Sequence, residues 1–194
     1  MKKIIFSLFM AFTVFATALA QGESEHMTFK GVHIDGTLRE YVAKMKQAGF
    51  THIGTQDGMA ILQGDFAGYK GCTIVVATLE GVDKVNTIGV MFPAKDNWDS
   101  LERNYEQLKS MLTEKYGEPS DCVEEFQRNY VNNNNDKFYS IILDAATWYT
   151  TFSTPKGDIQ ISLEKQDYQS CFVLLRYFDK INTDAVREQA MDDL

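Results

Sequence analysis

WDSLERNYEQLKSMLTEKY, Trp98 to Tyr116, is the stretch on which the fold turns. Trp98, Leu101, Tyr105, Leu108, Leu112 and Tyr116 recur every third or fourth residue, and Glu102, Arg103, Glu106, Lys109 and Glu114 fill the gaps. That period predicts a helix of about five turns with one apolar stripe. Asp96 or Asn97 can cap its start, and Gly117 with Pro119 ends it. Such a stripe must be buried against something, and strand-like runs lie on both sides of it.

Upstream, Thr37-Leu38-Arg39-Glu40 reads as a capping box, with hydroxyl and carboxylate each satisfying a free backbone N–H. The helix it opens carries Leu38, Tyr41, Val42 and Met45 on one face. It stops at Gly49, with Phe50 placed to cover the last turn. Four runs follow: Thr51 to Thr55, Met59 to Phe66, Cys72 to Leu79 and Val85 to Phe92. Asp57-Gly58, Ala67 to Gly71 and Gly81 to Lys84 turn the chain between them, which predicts an antiparallel meander. Ahead of the first helix, Met27 to Ile34 reads as a short edge strand or an extended arm.

Downstream the pattern returns. Asp121 to Phe126 is a short strand, Arg128 to Lys137 a polar loop rich in Asn, and Phe138 to Leu143 a strand or a pinned loop. Ala145 to Phe152, Asp158 to Glu164 and Cys171 to Phe178 are strands, and Asp184 to Met191 a short tail helix. Ile159, Ile161 and Leu163 alternate with Gln160, Ser162 and Glu164, so that strand has one buried face. Cys171 to Phe178 is apolar on both faces, as for a strand in mid-sheet. Lys70-Gly71 and Lys156-Gly157 stand 86 apart (156 − 70), as do Phe66 and Phe152, and Phe92 and Phe178. The expectation is an α+β fold of two similar halves, 27–93 and 94–180, within one domain over 21–194. Each half is a helix plus an antiparallel meander of about four strands, with the helices packed on one face of the sheet.

Residues 1–20 have the form of a signal peptide: Lys2 and Lys3, an apolar run from Ile4 to Phe15, then Ala18-Leu19-Ala20. The reading is of a periplasmic or secreted protein with no stable membrane insertion after cleavage. The formal charge of −8 disfavours binding to phosphate backbones, so no nucleic-acid partner is expected. Cys72 and Cys171 open strand-like runs, where a thiol is usually a small buried apolar group; a Cys122–Cys171 bridge is one arrangement the sequence allows.

No catalytic constellation stands out, and no metal or cofactor site is expected. His26, His33 and His52 have no metal-ligand spacing, and no Cys-x-x-Cys, Walker loop or G-x-S-x-G elbow occurs. A Cys–His nucleophile would need Cys72 beside His33 or His52. Asn132 to Asp136 offers oxygen ligands without the Gly and Glu of an EF-hand loop. The remaining candidates are binding residues. Tyr69 and Tyr168, with Tyr130, are rigid rings at or near turns, Tyr149 lies on the strand face opposite Trp148, and Arg176 is the lone charge on its strand face.

Three segments carry a resemblance: Phe29 to Thr37 (FKGVHIDGT), Leu62 to Cys72 (LQGDFAGYKGC) and Lys115 to Ser120 (KYGEPS). They resemble a family of small exported proteins from gut anaerobes that has no assigned activity. More loosely, the doubled helix-plus-meander is similar to the β-lactamase inhibitor protein and to small envelope assembly lipoproteins. That resemblance implies protein binding through a sheet face or edge; the lipid-anchor Cys of the lipoproteins is missing here. The functional expectation is an exported, non-catalytic module for a protein partner in the cell envelope. The alternatives are a hydrolase acting on cell-surface or dietary polymers and a carbohydrate-binding module using exposed tyrosines.

Overall fold

The computed structural model describes residues 26–79, 81–127 and 131–192; residues 1–20, expected to be a signal peptide, and Tyr130 lie outside the described residues. The chain runs β1 (Thr28–Phe29), β2 (Val32–His33), α1 (Leu38–Gln47), β3 (Thr51–Gln56), β4 (Met59–Phe66), β5 (Tyr69–Thr78) and β6 (Val85–Met91). It continues through α2 (Trp98–Tyr116), β7 (Asp121–Phe126), α3 (Asn134–Ile142), β8 (Ala146–Thr154), β9 (Gly157–Lys165), β10 (Cys171–Asp179) and α4 (Lys180–Asp192). Among the described residues β1 and β2 pair only with each other. The other strands form one eight-stranded antiparallel sheet in the order β3-β4-β5-β6-β10-β9-β8-β7. The fold is therefore α+β, with two meanders joined through β6 and β10.

Local chemistry sets the helix ends. Thr37 caps α1 with both bonds of the capping box. At the other end Phe50 N–H donates to Met45 O at 3.1 Å and Gly49 N–H to Lys46 O at 3.1 Å, the paired bonds of a Schellman ending, with Gly49 at φ +97°. Asn97 caps α2 by accepting from Ser100 N–H at 2.9 Å, and the helix ends at Gly117, φ +87°.

The register shows which side of the pleat is buried. Leu62, Ile74, Val90, Leu175, Ile161 and Thr150 are successive cross-strand partners from β4 to β8, and all are buried. Cross-strand partners share a face, so this row lies on one side of the sheet. α2 reaches that side through Tyr105, whose Oη is 2.7 Å from Thr150 Oγ1. It also contacts β9 and β10, while α1 contacts β3, β4 and β5. Two aromatic groups fill the layer: Phe29 with Phe66 and Tyr177, and Trp98 with Trp148 and Phe126. Burial pushes the Tyr105 phenol far above its usual range, so it stays neutral. Tyr105→Phe leaves a buried Thr150 hydroxyl short of a partner and should cost about 1–2 kcal/mol, read as a fall in Tm of several degrees.

Three expectations are corrected, and one arrangement left open is decided. Asn134 to Lys137, expected in the polar loop, and Phe138 to Ile142, expected as strand or pinned loop, are helix: Asn133 accepts from Asn135 N–H and Asp136 N–H and caps α3, which buries Phe138, Ile141 and Ile142. The tail helix begins at Lys180, directly after β10, not at Asp184. Cys122 and Cys171 are not bridged; all three cysteines are free, Cys122 exposed and the others buried. The equal spacing of 86 does not carry over to facing. It lays Ile74 on Gln160 and Val90 on Arg176, buried-side positions on opposite-side ones.

Candidate functional site

The other side of the pleat carries its own rows. One runs Ile61–Val75–Gly89–Arg176–Gln160–Thr151–Asp121 from β4 to β7. The next runs Gln63–Thr73–Met91–Leu174–Ser162–Tyr149–Val123. The β4–β5 end is apolar, with Met59 and Ile61 46% and 43% exposed, and the β9–β7 end is polar.

Arg176 sits at the boundary, half-buried in mid-sheet. Its guanidinium donates to Gln160 Oε1 at 3.2 Å, Ser162 Oγ at 3.4 Å and Glu164 Oε1 at 3.0 Å. Ser162 Oγ donates to the same Glu164 oxygen at 2.7 Å, and Gln160 Nε2 donates to Thr151 Oγ1 at 3.1 Å. The β9 residues that alternation marks as merely outward therefore form a hydrogen-bonded bed for the arginine. Two strands away, Tyr149 Oη donates to Asp121 Oδ2 at 2.8 Å, and the carboxylate raises the phenol's pKa. The arrangement is a preorganised plane of donors and acceptors beside an apolar patch, with its side chains held before any ligand arrives.

Of the four binding candidates, Tyr149 and Arg176 share this face. Tyr69 does not: its ring packs on Phe92 and its hydroxyl donates to Gln107 Oε1 on α2, at 3.1 Å, on the core side. Burial raises its pKa, with the Cys72 thiol adding to the effect. Tyr168 stands apart in the β9–β10 turn, 86% exposed. Gln160, Ser162, Glu164 and Asp121 were missed as site residues, because a single strand's alternation does not reveal which strand lies beside it.

The Cys72 nucleophile has no geometric support. Its thiol lies 3.8 Å from Tyr69 O, burial pushes its pKa up, and His52 bonds Thr55 Oγ1 at 2.9 Å instead. Burial likewise raises Cys171, to about 11. Among the described residues no group of three or more His, Cys, Asp or Glu is placed to hold a metal ion, and no helix is long and apolar enough to cross a membrane.

A family model described as 2'-5'-oligoadenylate synthetase 1, domain 2, C-terminus, matches residues 99–175, from α2 into β10. The match takes in less than half of the chain. No curated protein and no solved structure matches it.

Proposed function

We propose that the chain is an exported interaction module that binds a protein partner in the cell envelope through the side of the sheet opposite its core. The observation that carries this reading is the pair of cross-strand rows centred on Arg176. They continue across seven strands, mostly half-exposed, and are graded from apolar Ile61 to acidic Asp121. A face of this kind suits a protein surface, with apolar contacts at one end and oriented polar contacts at the other.

The reading includes two repeated units whose helices all lie on the core side. A shift of 85 residues supports it by laying Ile88 on Val173 and Val90 on Leu175, keeping each on its own face. Shifts of 87 from β5 to β9 (Ile74 on Ile161) and 88 from β4 to β8 (Leu62 on Thr150) fit the same pairing. The local two-fold then passes through the Val90–Leu175 pair.

The test is capture of envelope proteins with the secreted chain and with an Ile61→Asp, Arg176→Ala double variant, both sites being partly exposed. A discrete partner retained by the first and lost by the second supports the reading. Turnover of a glycoside or ester substrate, or saturable binding of a glycan or of 2'-5'-oligoadenylate that displaces the partner, overturns it.

A further inference from the structure

The two edges of the sheet differ. β7 carries Asp121, Glu124 and Glu125, charges of the kind that blunt an edge against pairing. β3, Thr51-His52-Ile53-Gly54-Thr55-Gln56, carries no formal charge and no proline, and among the described residues it pairs with β4 alone. A bulge between His52 and Gly54 bends its first half. Beyond the bulge, Gly54, Thr55 and Gln56 pair regularly with Ile61, Ala60 and Met59. The outer backbone groups of this stretch have no strand partner among the described residues.

A hollow lies on each side of that short edge. On the side of Arg176, a concavity of about 540 Å³ is walled by Gly54, Gln56, Met59, Ile61 and Val75. On the core side, a groove of about 480 Å³ runs between α1 and β3, floored by Leu38, Val42 and Ala43 and rimmed by Arg39 and Lys46. Thr55 borders both. Asp83, at the far end of the groove, is engaged by Leu38 N–H at 2.9 Å. Arg39 and Lys46 are exposed and make no ion pair among the described residues.

Successive side chains of a strand point to opposite faces. A strand laid along Gly54–Gln56 thus sends alternate side chains into the two hollows, while its backbone completes the edge. We propose that β3 captures an extended segment of the partner protein by strand addition, apolar residues entering the Met59–Ile61–Val75 hollow and acidic residues facing Arg39 and Lys46. This deepens the protein-binding reading and rests on it. Charge selects the occupant. Two copies of this chain joined β3 to β3 would set each copy's Arg39 and Lys46 against the other's on one side of the sheet. A copy joined by its β7 would turn to that side only one acid of the joining strand, Glu124, which is already paired with Lys109. A separate segment with free carboxylates meets neither obstacle.

The test uses the full secreted chain and an eight-residue peptide of alternating valine and glutamate, titrated by fluorescence polarisation. A valine–lysine peptide and a backbone N-methylated valine–glutamate peptide serve as probes of charge and of main-chain bonding. The acidic peptide should bind about ten-fold more tightly than the basic one, the worth of two exposed ion pairs. An Arg39→Glu, Lys46→Glu variant should reverse that order, N-methylation should abolish binding, and Ile53→Lys, at an exposed edge position, should weaken it. Equal affinity for both charged peptides, no binding, or tolerance of N-methylation overturns strand addition. So does self-association that Ile53→Lys abolishes. If the envelope partner is lost with the Ile61, Arg176 double variant but kept with Ile53→Lys, strand addition falls and the broader reading stands. If neither variant releases the partner, both fall.

Discussion

Gly157→Ala should lower the stability of the chain by about 3–5 kcal/mol, a Tm lower by roughly 8–15 °C, as overpacking and backbone strain add. Gly157 opens β9 as the buried partner of Thr154 on one side and Asp179 on the other. A Cβ there would stand 2.0 Å from Phe178 O, 2.6 Å from Met27 Sδ and 3.1 Å from Lys180 N. The methionine sulfur can swing away. The Phe178 carbonyl cannot, because it belongs to the backbone of a central strand. The φ of +144° adds a cost that no rearrangement of neighbours removes. Gly68→Ala makes the control: it also has positive φ, +84°, but nothing within 4 Å of the added carbon, so only about 1 kcal/mol should be lost. Urea unfolding of the two variants reads the difference, and a Gly157→Ala loss no larger than the control's would remove the steric argument.

Much of the frame was legible because it is written in local chemistry. The period from Trp98 to Tyr116 predicts the α2 bounds to the residue, and Thr37 with Glu40 predicts the α1 cap. The mid-sheet place of β10 followed from apolar residues on both of its faces, and the structure puts β6 and β9 on its two sides. Where local signals compete, the reading failed. Asn132 to Asn135 is polar enough for a loop, yet Asn is also a capping residue, and Phe138, Ile141 and Ile142 at helical spacing decide the matter by burial. The candidate site failed for a different reason. Arg176 is visible in sequence as a lone charge, but its bed of Gln160, Ser162 and Glu164 exists only once β9 is set beside β10 in one register. The charge contrast between the two sheet edges is likewise readable residue by residue, but which strands are edges is a property of the pairing order.

Asp179→Ala should cost about 3–5 kcal/mol, the scale of removing one member of a buried, hydrogen-bonded charge network. Asp179 is fully buried, where β10 ends, and its carboxylate serves two further segments at once. Oδ1 accepts from Met27 N–H at 2.7 Å. Oδ2 accepts from Asn182 N–H at 3.1 Å, which makes Asp179 the N-cap of α4, and lies 2.9 Å from His26 Nδ1. Asn182 in turn ties α4 to Val85 O at 2.9 Å and Ile34 O at 3.2 Å. One short side chain thus fastens the N-terminal arm and the C-terminal helix to the centre of the sheet. Asparagine is no substitute: both oxygens accept from backbone N–H groups, so its amide NH₂ would confront a donor at one of them. Asp179→Asn should therefore lose well over half of what Asp179→Ala loses, and the amide protons of Met27 and Asn182 should exchange faster in both. Full rescue by asparagine would show that the oxygens are not both needed. The double variant with Gly157→Ala should lose less than the sum of the two single losses, because each disturbs the same Phe178–Lys180 backbone. Strict additivity would mean that the arm and the strand end are held independently.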